Sequence, residues 1–321
     1  MIKRSIALAV LATLASGAAL AQSSVTLYGR LNVTAERQKV GSDTQTVLED
    51  NYSRIGFKGE EDLGGGLKAG FIIEHGFDPT TGAAASTFWG RQSEVYLSSK
   101  LGMLRLGNFI QESLYATADV VSMHNHNTGT SADALYTYFG SDVNKVAYRT
   151  PEFVKGLWAE ASIAEAVAGT VAQGGTNGKR PVDLAVNYDL GKLQLGAGYT
   201  KADQDNQFAV RASYGMGPFT LAAYAQRDEI NDASRNVFRV AGMYTLGASE
   251  FHVNVGYAGK RGDLADTQAT QATLGYNYNL SKRTKVYGFV TKVDNKAAAE
   301  YMTKKAGVDF SSVAVGVRHN F

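Results

Sequence analysis

Apolar and polar residues take turns along most of the chain, and that rhythm constrains the fold more than any other feature. In the segment from Val25 to Thr34, Val25, Leu27, Gly29, Leu31 and Val33 alternate with Thr26, Tyr28, Arg30, Asn32 and Thr34. The segment from Val313 to Phe321 repeats the pattern. A period of two sends successive side chains to opposite faces of a β-strand, so each such segment has one greasy and one wet face. In a bilayer, a sheet of this kind must close on itself, because an open edge leaves backbone N–H and C=O groups unpaired in hydrocarbon.

The first residues point to export. Lys3 and Arg4 precede an apolar run from Ile6 to Leu14, and Ala19-Leu20-Ala21 is a small-x-small cleavage site, so residues 1–21 read as a cleaved signal peptide and 22–321 as one barrel domain. The run is short for a membrane helix, and no later run of about 20 apolar residues exists to make one. Removing Lys3 and Arg4 from the 32 basic residues leaves 30 against 30 acidic ones. A neutral chain lacks the basic excess that nucleic-acid binding needs. With no cysteine, disulfides, thiol catalysis and thiolate metal sites are excluded.

Tight turns rich in Gly or polar residues divide the chain into hairpins near 52–60/67–75, 88–99/103–109, 143–150/157–164, 181–189/193–201, 207–215/218–227, 236–245/250–259 and 269–279/284–293. These seven pairs, with the first and last segments, make 16 strands. The remaining connections, near 37–51, 76–87, 110–142, 165–180, 202–206, 228–235, 260–268 and 294–310, read as longer and polar. The expectation is an all-β, 16-stranded antiparallel transmembrane barrel, with short periplasmic turns and long extracellular loops. Barrels of 16 to 18 strands leave an aqueous lumen, whereas eight strands fill with side chains.

The connection from Ile110 to Val143 contains Glu112, Asp119, Asp133 and Asp142 but no Lys or Arg. A loop this long in a compact structure is usually functional or disordered. Folded inward, it presents carboxylates to the channel. Strand parity turns Arg30, Arg54, Lys58, Lys68, Arg105, Lys145, Arg149, Arg211, Arg239, Lys292 and Arg318 inward, with few carboxylates such as Glu74 and Asp183. A basic wall facing an acidic loop sets up a transverse field in the narrowest section. If the loop carboxylates pair with arginines, the surplus cations give a weak preference for anions. Tyr188, Tyr199, Tyr214, Tyr244, Tyr257, Tyr276, Tyr278 and Phe321 fall on the outer face near strand ends, as an interfacial girdle requires.

The stretch from Ser53 to Ala69, the opening Ser24-Val25-Thr26-Leu27-Tyr28-Gly29, the segment Gly90-Arg91-Gln92, the run from Tyr148 to Phe153 and the terminal Phe321 together resemble general-diffusion porins of Gram-negative bacteria, of the betaproteobacterial type. That resemblance implies a homotrimer in the outer membrane that passes small hydrophilic solutes and ions. It also implies a third loop folded into the barrel, Arg91 at the constriction, and Phe321 as the signal read by the outer-membrane assembly machinery. One departure stands out: where the family often has Leu-Gly-Arg-Gln, this chain reads Leu106-Gly107-Asn108-Phe109. The expected pore residues are thus Arg30, Arg54, Lys58, Arg91, Arg105, Arg149, Glu112 and Asp119.

Other classes fit less well. An outer-membrane hydrolase would need a nucleophilic Ser beside a His, and no such arrangement surrounds His75, His252 or His319. His124 and His126 lack further metal ligands nearby, and Gly64-Gly65-Gly66 is a turn, since no helix follows to bind a phosphate. No cofactor is expected. An adhesin would use the barrel only as an anchor, and a sugar-specific porin would need an aromatic ladder in the lumen, where only scattered inward rings such as Tyr28 and Tyr224 occur.

Overall fold

The computed structural model describes residues 24–121, 129–139, 142–169 and 175–321. The export segment expected at 1–21 and the pair His124 and His126 lie outside the described residues. Among the described residues, eighteen strands form one sheet. They are β1 (Ser24–Val40), β2 (Asp43–Asp50), β3 (Arg54–Gly64), β4 (Leu67–Asp78), β5 (Ala83–Ala84), β6 (Gln92–Ser99), β7 (Gly102–Asn108), β8 (Lys145–Arg149) and β9 (Leu157–Ile163). They continue with β10 (Val182–Asp189), β11 (Leu193–Ala202), β12 (Asp205–Met216), β13 (Phe219–Ile230), β14 (Ala233–Leu246), β15 (Ser249–Ala258), β16 (Ala269–Asn279), β17 (Thr284–Asn295) and β18 (Phe310–Asn320).

Sixteen of these make the wall. β2 and β3 are two halves of one wall strand, both paired with β1, and β5 is a two-residue strand inside a connection. Sequential neighbours pair antiparallel around the wall, and β18 returns to β1 in the register Arg30↔Asn320 to Val40↔Phe310. Gly29 and Phe321 exchange backbone hydrogen bonds of 3.1 Å each at the seam. Closure leaves no sheet edge, which is what lets strands cross a bilayer. No helix among the described residues is long and apolar enough to cross one.

The two faces follow the parity of the sequence. Val25, Leu184, Val240, Leu274 and Val315 are exposed on the outside, while Asn32, Thr34, Gln207, Asp228 and Thr291 are buried inside. An aromatic row runs around the outside just above the short turns: Phe219, Tyr244, Phe251 and Tyr276 stand on successive strands, with ring centroids 4.8, 6.2 and 5.1 Å apart. Lys292 departs from the expected parity. It is exposed on the outer face beside Asp294, because Tyr287, Phe289, Thr291 and Val293 occupy the inner positions of β17. The inward lysine of that strand is Lys285.

Three connections expected to be long are two-residue turns: Gly41-Ser42, Asp203-Gln204 and Asn231-Asp232. Asn231 and Asp232 both have positive φ, 52° and 60°, the backbone of a type I′ hairpin turn. The strands here rise past the apolar band, where the outer face carries Arg37, Lys39, Arg227 and Glu229 instead of aliphatic residues. Above the hydrocarbon, nothing requires apolar residues outside, so a polar strand looks like a loop.

The described residues of the connection between β7 and β8 lie inside the barrel. It carries two short helices, α1 (Glu112–Ala116) and α2 (Ala118–Val121), and a 3₁₀ turn at Gly129–Ser131. Its apolar residues Leu114, Ala118, Val121, Leu135 and Tyr136 pack on inward-facing Ala222, Tyr224, Val237 and Ala241 of β13 and β14. Under α1 the wall is bare: a Cβ on Gly196 would lie 1.9 Å from the Ala116 carbonyl oxygen, and one on Gly198 would lie 2.7 Å from Ser113 Cβ.

Candidate functional site

The inner loop is pinned at its root. Lys145 donates from Nζ to the Phe109 carbonyl (2.5 Å) and to Asp142 (3.2 Å), tying the chain's exit from the wall to its return. Beside it lies a five-membered ion network. Arg105 reaches Glu94 (2.9 Å) and Glu160 (3.0 Å), and Arg149 reaches Glu160 (2.8 Å) and Glu112 (2.7 Å). The Arg105 guanidinium also covers the Phe109 ring at 4.1 Å, and that of Arg149 covers Trp158 at 4.2 Å. Two cations face three carboxylates. Burial pushes the Glu112 carboxyl up to about 7; Arg149 opposes that shift, and the neighbouring charge of Glu160 adds to it.

Farther along, the loop is latched to the opposite wall. Arg211 donates to the Ala116 carbonyl at the end of α1 (2.7 Å), and Thr130 donates to Glu36 (2.7 Å). Gln271 and Gln226 each exchange two hydrogen bonds with the loop backbone, at 132–134 and at Thr137 respectively. Asp133 is buried against Arg239 (2.7 Å) and accepts from the Tyr224 hydroxyl. Arg239 is 1% exposed and also binds Gln271 (2.7 Å) and Asn254 (2.5 Å).

The latched loop leaves a passage of about 660 Å³ between itself and the wall of β1, β3 and β4. Arg30, Arg54, Lys58, Arg91 and Glu74 line it on the wall side, and Tyr115, Asp119, Tyr136 and Tyr138 on the loop side. Glu74 is held by Arg91 (2.6 Å) and Arg54 (3.4 Å). The junction of β2 and β3 shapes this side. Asn51, Tyr52 and Ser53 stand opposite Leu31 and Asn32, three residues against two, a bulge in the wall strand. Ser53 Oγ and the Asn51 backbone N–H take over the ladder bonds to Asn32 at 3.0 and 2.8 Å. Tyr52 sits at φ +59° with its ring 5.8 Å from the Arg91 guanidinium. A non-glycine residue in that conformation costs about 1–3 kcal/mol and is typical of functional sites.

Five of the eight expected residues therefore meet in one place: Arg30, Arg54, Lys58, Arg91 and Asp119. Arg105, Arg149 and Glu112 sit apart in the root network, and Arg105 is almost fully buried there. Position 108, where the resembled family often has arginine, adds no charge to the passage. Asn108 instead donates to the Gly90 carbonyl (3.0 Å) and fixes the segment that carries Arg91. Gln92, Glu94 and Tyr96 share the inner face of β6, and Arg91 reaches inward just before that strand begins. The Arg239–Asp133 latch was not evident from the sequence. Its available signal was the set of small inward residues, Gly196, Gly198, Ala222 and Ala241, that the loop rests on.

A closed 16-stranded barrel with an apolar exterior and a charged internal passage defines a channel of the bacterial outer membrane. The family model for Gram-negative porins matches residues 7–298, and the chain belongs to that family. The outer membrane porin protein 32 of Delftia acidovorans is 32% identical, with both chains covered in full. The major outer membrane protein P.IB of Neisseria meningitidis serogroup A is 29% identical over 96% of this chain and 98% of its own. Among solved structures, an anion-selective porin from Comamonas acidovorans superposes with a TM-score of 0.76 at 27% identity, covering 94% of this chain and 100% of that one. The protein is a channel and not an enzyme.

Proposed function

We propose that the passage beside the inner loop is the constriction of the pore, and that it gives small hydrophilic solutes and ions a passive route with a weak preference for anions. One observation carries the reading: four cations, Arg30, Arg54, Lys58 and Arg91, face Glu74 and Asp119, a surplus of two positive charges. Asp133 does not alter that sum, because Arg239 neutralises it. The anion selectivity named for the Comamonas acidovorans porin supports the same sign. The transverse arrangement orients dipolar solutes and disfavours greasy ones.

The same reading includes removal of residues 1–21 on export and recognition of the C-terminal strand, ending in Phe321, by the outer-membrane assembly machinery. It also includes a homotrimer embedded in outer-membrane lipid. The trimer is supported by small outer-face residues such as Ala35 and Gly288, which border an apolar recess of about 690 Å³ with Val33, Leu48 and Val315.

Reversal potentials in a KCl gradient across planar bilayers test the constriction. One unit charge about 8 Å from a passing ion in water is worth about 0.5 kcal/mol, with opposite sign for cation and anion. Asp119→Asn should therefore raise the anion-to-cation permeability ratio about fivefold, and Arg54→Ser should lower it comparably. Unchanged reversal potentials in both variants would refute the reading.

A further inference from the structure

From the constriction toward the short-turn rim, the row of inner-wall cations continues past Arg54 and Arg30 to Arg318 and Lys285. On the register of the wall, Arg54 of β3 stands directly opposite Arg30 of β1, and Arg318 of β18 directly opposite Lys285 of β17. Arg30 in turn faces Asn320, two residues from Arg318 on the same face of β18. Four cations thus lie on four adjacent strands. Like charges directly opposite each other in a sheet are destabilising, so such a row needs counter-charge.

The protein supplies little. Arg54 has Glu74, but neither Arg30 nor Arg318 forms an ion pair among the described residues. The Nε of Arg30 binds only the neutral side chain of Asn320 (3.0 Å). Arg30 Nη1 and Arg318 Nε are buried with no hydrogen-bond acceptor. Lys285 is 3.9 Å from Glu250, and that carboxylate is already held by Asn277 and Asn279 at 2.8 Å each. Arg30, Arg318 and Lys285 against Glu250 leave two positive charges.

We infer that Arg30, Arg318 and Lys285 form a binding subsite for a compact divalent oxyanion, such as sulfate or hydrogenphosphate, on the periplasmic side of the constriction. This deepens the reading of the pore as an anion-preferring channel and rests on it. The charge surplus matches a dianion. The planar forks of two guanidiniums match the paired oxygens of an oxyanion, which a halide does not offer. All three side chains lie on the inner face, so the ligand arrives through the lumen and not as a lipid headgroup. Arg318 lies three residues before Phe321, and Lys285 follows the turn at Ser281–Arg283, which places the subsite at the periplasmic mouth.

Chloride conductance of the full-length protein in planar bilayers, measured in dilute KCl at constant ionic strength, tests this. Millimolar sulfate should reduce the conductance saturably, and acetate should not. Arg318→Gln and Lys285→Gln should each raise the half-blocking sulfate concentration about tenfold or more, through loss of a charge-assisted contact. Lys292→Gln, on the outer face, should leave it unchanged. Absence of a sulfate effect in the unmodified protein, an equal effect of acetate, or half-blocking concentrations unmoved in both variants would overturn the inference. The underlying pore reading fails separately, through reversal potentials indifferent to Arg54→Ser and Asp119→Asn.

Discussion

Replacing Glu112 with Gln decides between two forces that act on the same carboxyl group. Burial favours the neutral acid, whereas Arg149 at 2.7 Å favours the anion. Arg149 is shared with Glu160, and the network holds three carboxylates for two guanidiniums, so burial prevails and Glu112 keeps its proton up to about pH 7. In the unfolded chain an ordinary glutamic acid loses it near 4.3. The folded protein therefore binds more protons between these values. The contribution of Glu112 to stability is complete below about pH 4.3 and is lost as pH rises to 7. The difference between the two values corresponds to about 4 kcal/mol in full, most of it developed between pH 4 and pH 8. Gln keeps a hydrogen-bond acceptor for Arg149 and does not titrate. Relative to the unmodified protein, Glu112→Gln should thus gain about 3 kcal/mol between pH 4 and pH 8, while other titrating groups cancel in the comparison. Urea unfolding in lipid vesicles, followed by tryptophan fluorescence, reads this directly, because the Trp158 ring lies 4.2 Å from the Arg149 guanidinium. A pH-independent difference would refute the argument. So would a variant that loses ground at pH 8, since the anion would then be the form the network was built to hold.

The latch on the far wall should behave as a coupled pair. Arg239→Gln leaves Asp133 buried with only the Tyr224 hydroxyl and nearby backbone N–H groups, at a cost of about 3–5 kcal/mol, and open-channel current noise should rise as the loop loosens. Adding Asp133→Asn should recover part of that loss; strictly additive effects would show that the two residues act independently. At the seam, Gly29→Ala would place a Cβ 2.4 Å from the Phe321 ring and 2.5 Å from the Arg54 carbonyl oxygen. The expected cost is about 1–3 kcal/mol and a smaller folded fraction on heat-modifiable gels; an undiminished folded fraction would mean the seam adjusts freely.

Much of the wall was legible because the bilayer imposes a strict rule on half of each strand. Where β13 and β14 pass through hydrocarbon, Leu221, Phe238 and Val240 alternate with inward residues, and the strands could be placed within a few positions. Where the same strands rise above it, Arg227 and Asn236 occupy outer positions, and the rule no longer applies. The inner face obeys a looser rule. It is polar where water fills the lumen, but Ala222, Val237 and Ala241 turn inward beneath the loop, as does Phe289 on β17. The reversal of polarity marks where the lumen is filled by protein, and it is visible only once the loop has been seen to lie there.

The fate of each inward charge depended on cross-strand register, which parity does not contain. Arg30 and Arg105 look alike in sequence, each an arginine among alternating aliphatic residues. In the closed barrel Arg105 lies beside Glu94 and Glu160, while Arg149 stands directly opposite Glu160, so these cations are neutralised and anchor the loop. Arg30 stands between Arg54 and Asn320 and stays available to the lumen. Both neighbours of Arg30 come from other strands, and β18 lies at the opposite end of the chain. The charge an ion meets in this pore is therefore a property of barrel closure: cations whose register partners are acidic hold the structure, and those whose partners are neutral or basic set the field.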